Sequence, residues 1–127
     1  MIEKTPNIES LMFSIQVASW EGRRQVEWIK RTGFAEDEIS LQLDDFYRAV
    51  KNYVVYIEGE EFPEFLENGI QELLDLFEWL ADTPELWTFD SIVAAKEWEV
   101  VRGRARRLLA EVRGSSWSHF LGDSDSV

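Results

Sequence analysis

Leu66, Ile70, Leu73, Phe77 and Leu80 recur at alternating steps of four and three residues. That spacing places all five on one stripe of an α-helix, and a strand period of two cannot accommodate it. The stripe predicts a helix from about Pro63 to Ala81. Pro63 suits its first turn, and the acids around it suit the positive end of the helix dipole. Leu74 and Ala81 widen the apolar face, while Trp79 falls outside it. Asp82, Thr83 and Pro84 stop the helix, because a residue before proline avoids helical geometry.

Three more segments carry the same period. The first runs from about Ile8 to Arg31, with Asn7 as the expected N-cap after Pro6. Ile8, Leu11, Met12, Ile15, Val26 and Ile29 form one apolar stripe, and Phe13, Val17, Trp20 and Trp28 form a second on nearly the opposite side. A helix apolar on two faces is buried centrally or covers a partner. Gly22 is a point at which this segment can divide, since glycine costs about 1 kcal/mol inside a helix. The next runs from about Glu36 to Ile57 through Ile39, Leu43, Phe46, Val50, Val54 and Ile57. Residues 52–57 are rich in β-branched and aromatic side chains, so helical and extended forms both stand there. The last runs from about Ser91 to Arg113, with Asp90 as the expected N-cap and Gly114 as its end. Four amphipathic helices on short connections predict an all-α, single-domain antiparallel bundle over residues 1–127, five if Gly22 divides the first. Residues 122–127 read as a polar tail.

Charge distribution is the second constraint. The span 52–95 contains eleven acids and no lysine or arginine, and so carries −11 of the formal net charge of −12. Such a block is either a solvated face or a surface for electrostatic recognition. The overall charge repels nucleic acid and anionic lipid and attracts basic proteins. Arg102, Arg104, Arg106 and Arg107 form a basic run, best read as pairing with the acidic span inside the fold.

Catalytic equipment is sparse. The chain has no cysteine and a single histidine, His119, with nothing in the sequence to orient it. No glycine-rich phosphate loop, EF-hand pattern or Glu-x-x-His pair is present. Neither enzymatic activity, nor a metal site, nor a cofactor is expected. No apolar run approaches the roughly 18 residues of a membrane span, and no signal peptide is read at the start, which makes the cytoplasm the expected location.

These features point to a small acidic, protein-binding inhibitor of the immunity type. It would cover the basic cleft of a nuclease-type toxin or another nucleic-acid-acting enzyme. The expected partner-binding residues are Glu61, Glu64, Glu67, Glu72, Asp75, Glu78, Trp79, Asp82, Glu85 and Trp87. Carboxylates would stand in for phosphates and tryptophans would anchor. The two tryptophans have an alternative place, packed on the second stripe of the first helix. A secretion chaperone or adaptor holding an apolar helix is the alternative function, followed by a ligand-binding bundle. Homodimerisation through the first or last helix is compatible with each.

Overall fold

The computed structural model describes residues 5–122; the expected polar tail lies outside them apart from Gly122. Within that range the fold is all-α. Six α-helices run in order: α1 (Pro6–Ser19), α2 (Gly22–Thr32), α3 (Glu38–Asn52), α4 (Glu64–Ala81), α5 (Phe89–Ala94) and α6 (Lys96–Arg113). A π-helical turn (Tyr53–Ile57) extends α3, and 3-10 turns occupy Pro84–Trp87 and Ser116–Phe120. Residues 52–57 are therefore helical rather than extended.

Helices α1, α3, α4 and α6 close a ring of contacts, with α1 against α3 and α6, and α4 against the same two. Leu11, Ile15, Leu43, Leu66, Ile70, Leu73 and Trp98 are fully buried in the core. Helix α1 buries residues all round, including Ile8, Leu11, Met12, Val17 and Ala18, which accounts for its two apolar stripes. Helix α2 packs against α5 beside this ring.

The helix count exceeds the expected four to five because two segments divide. The first divides at Trp20 and Glu21, which are extended, and Gly22 opens α2 instead of ending α1. A Cβ on Gly22 would lie 2.6 Å from the Ile92 carbonyl oxygen and 2.7 Å from Val93 Cα, so glycine is required there for close packing of α2 on α5. The carbonyls at the end of α1 lack helical partners. Gln25 Nε2 donates to Val17 and Ala18, and Arg106 Nε donates to Ser19.

The last segment divides at Ala95, which is extended. Alanine is the best helix former, so local preference does not cause this break. Arg102, 2% exposed, donates from Nη1 to the Ile92 carbonyl at 2.8 Å and to Gln25 Oε1 at 3.1 Å. It thus supplies the donor that a continuous helix would have provided at residue 96, and α5 is free to turn onto α2.

Two expected N-caps are corrected. Thr5, not Asn7, caps α1 by accepting from the Ile8 N–H, because Pro6 takes the first helical position. Thr88, not Asp90, caps α5 by accepting from the Ser91 N–H, and Asp90 lies in the first turn.

Candidate functional site

The ten residues singled out in the acidic span do not share one environment. Glu67 and Glu72 are engaged inside the fold. Glu67 Oε1 accepts from Tyr47 Oη at 2.5 Å and from Lys51 Nζ at 2.9 Å, joining α4 to α3. Gln71 Nε2 adds a donor to Tyr47 Oη at 3.0 Å. Burial opposes charge on Glu67, but the hydrogen bonds from Tyr47 and Lys51 outweigh it and hold the carboxyl below its ordinary value. Burial and the bond to Glu67 push the Tyr47 hydroxyl up. Glu72 accepts from Arg104 Nε at 2.6 Å and lies 3.8 Å from Arg107. The basic run thus meets the acidic span at Glu72, while Arg102 and Arg106 pair with Glu99.

Trp87 also belongs largely to the interior. It is half-buried, its Nε1 donates to the Leu80 carbonyl at 3.0 Å, and its ring meets Trp98 at 5.3 Å and Phe77 at 6.3 Å. Trp79 is different: 47% of its surface is exposed. Glu61, Glu64, Asp75, Glu78, Asp82 and Glu85 are all exposed. Among the described residues none of these six carboxylates has an ion-pair or hydrogen-bond partner.

A groove of about 1220 Å³ runs between α3 and α4. Sequence reasoning missed it. On the α3 side it is lined by the N-cap residue Asp37 and by Ser40, Leu41, Asp44, Tyr47, Arg48 and Lys51, which share one helical face. On α4 it is lined by Gln71, Leu74, Asp75, Phe77, Glu78 and Ala81, and the 3-10 turn after α4 adds Pro84 and Trp87. Of the ten expected residues only Asp75, Glu78 and Trp87 line it. The groove lining therefore mixes apolar side chains, Leu41, Leu74, Phe77 and Trp87 among them, with the carboxylates Asp37, Asp44, Asp75 and Glu78. Its two basic residues are already engaged, Arg48 with Asp44 at 3.0 Å and Lys51 with Glu67. The Tyr47–Glu67–Lys51 network bridges the two helices at one end.

Elsewhere the chemistry is sparse. His119 is exposed and lies against Phe120, while Ser115 Oγ donates to the Val112 carbonyl. Among the described residues no group of three or more His, Asp or Glu side chains is placed to share a metal ion. No described helix is long and apolar enough to cross a membrane.

The paired carboxylates predict a pH dependence. Hydrogen bonds from Arg102 and Arg106 hold Glu99 below its ordinary value, and Arg104 does the same for Glu72. A depressed carboxyl contributes stability above its unfolded value, here near 4.5, and that contribution is lost as pH falls through the folded value. Thermal melts are expected to give a lower midpoint at about pH 3 than at about pH 6, with a smaller fall in Glu67→Gln/Glu99→Gln. An equal or higher midpoint at the lower pH would contradict the pairing.

Comparison with protein-family models, curated proteins and solved structures finds no match to this chain, so no family or activity carries over from a relative.

Proposed function

We propose that the protein is a non-enzymatic binding module of the inhibitor or immunity type, which blocks a basic surface of another protein. The observation that carries this reading is the set of exposed, internally unpartnered carboxylates Glu61, Glu64, Asp75, Glu78, Asp82 and Glu85, with Trp79 exposed among them in sequence. A fold that needed these charges for itself would pair them, as it pairs Glu67 and Glu72. Unpaired acids on one segment repel each other, so their joint presence favours a cationic partner. Such a surface speeds encounter and orients the complex, and an exposed tryptophan supplies a contact that excludes water. A nuclease-type toxin fits, because its substrate-binding cleft must be basic to hold phosphates. An antiparallel bundle of α1, α3, α4 and α6, which pack in a ring, would hold this face on a rigid scaffold, and a cytoplasmic location fits the reading.

Affinity capture from a lysate, washed across a salt series, tests the proposal. A basic protein retained at low salt and released at high salt is the expected result. The apolar residues in the lining of the α3–α4 groove favour a second reading, a chaperone or adaptor holding an apolar segment. Salt-resistant retention of an apolar segment would select that reading instead.

A further inference from the structure

We propose that the α3–α4 groove is the docking site for a basic amphipathic helix of the partner, seated with its apolar side on Leu41, Leu74 and Trp87 and its cations on Asp37, Asp75 and Glu78. The inference rests on the binding-module reading above and specifies which element of the partner is held.

Three observations select this occupant. The first is size. At about 1220 Å³ the groove exceeds the roughly 300–1,000 Å³ of small-molecule pockets. It follows α3 from Asp37 to Lys51, about 20 Å at 1.5 Å per residue, which matches three to four helical turns. The second is chemistry. Leu41, Leu74, Phe77 and Trp87 give the lining an apolar part, and Leu41 is 48% exposed. The lining carboxylates Asp37, Asp75 and Glu78 have no internal partner among the described residues, whereas both lining cations do. The vacancy is thus for positive charge. The third is backbone form. One common mode for an extended peptide is addition to a sheet edge, and the described residues contain no strand to offer one. A channel between two helices instead offers ridges that accept side chains at helical spacing.

The test is a titration of the ¹⁵N-labelled full chain with two synthetic peptides of about 18 residues. One carries leucines at helical i, i+3, i+4, i+7 spacing with lysines around them; the other has the same composition in an order without an apolar face. The amphipathic peptide is expected to shift the signals of Leu41, Leu74, Glu78 and the Trp87 indole N–H. It should bind at least about tenfold more tightly than its scrambled counterpart, since only it can bury its leucines together. Leu41→Gln, at an exposed position the fold does not depend on, should weaken it about fivefold without lowering the melting temperature. Equal affinity for both peptides, with shifts at Glu61, Glu64 and Asp82 instead, would overturn the groove and leave the acidic-face reading standing. Absence of binding by either peptide would overturn the groove proposal, and salt-sensitive capture of a basic protein would then leave the acidic-face reading standing. Concentration-dependent shifts at the groove without peptide would assign it to a second copy of this chain, and would overturn the proposal too.

Discussion

Trp98→Ala is expected to lower the unfolding free energy by about 3–5 kcal/mol in chemical denaturation. Trp98 is fully buried and its Nε1 donates to the Leu86 carbonyl at 2.6 Å. Its ring meets Trp87 at 5.3 Å and Phe77 at 6.0 Å, both edge-on. Truncation removes that apolar surface, leaves a cavity and leaves the Leu86 carbonyl without its donor. Trp98→Phe keeps most of the ring contacts but not the hydrogen bond, so it is expected to cost less, about 1–2 kcal/mol. Against a typical total of about 5–15 kcal/mol, the alanine variant loses a large part of its stability. The consequence reaches the groove, because Trp87 lines it and rests on Trp98. A loss below about 1 kcal/mol would show that the three rings do not form one cluster.

The third predicted helix illustrates what was legible. All five residues of its stripe are buried in α4, which ends at Ala81 as the Asp-Thr-Pro stop requires. Periodicity works there because one helix face meets one core. Thr5 was also legible in principle: Pro6 prefers the first helical position, which puts the cap just before it. The break at Ala95 was not legible. It follows from Gly22 approaching Ile92 and from Arg102 replacing a backbone donor, and those residues are far apart in sequence.

The same distinction holds at the candidate site. The acidic span was visible as a composition fact. Which of its carboxylates are spent internally was not, because Glu67 finds Lys51 and Glu72 finds Arg104 across helix contacts. Trp79 and Trp87 looked alike in sequence. Only the second has Leu80, Phe77 and Trp98 placed around it. Half of the groove lies on α3, outside the acidic span, so no linear window contained it.

The second large effect concerns recognition. Glu64→Lys/Asp75→Lys/Glu78→Lys/Asp82→Lys reverses four exposed carboxylates that make no internal contacts among the described residues. Each reversal removes an attraction and adds a repulsion of similar size, about 1 kcal/mol together at an exposed site. Allowing for incomplete additivity, affinity for a basic partner is expected to fall on the order of a hundredfold. Stability should change little. Lysine at position 64 opposes the positive start of α4, but lysine at position 82 complements its negative end.

The most direct measurement is the affinity of the captured partner for the native chain and for this variant at low and at high salt. The account predicts tight, salt-sensitive binding by the native chain and weak binding, with the salt dependence largely gone, by a variant of unchanged melting temperature. Equal affinity of the two chains at low salt would contradict an acidic recognition face.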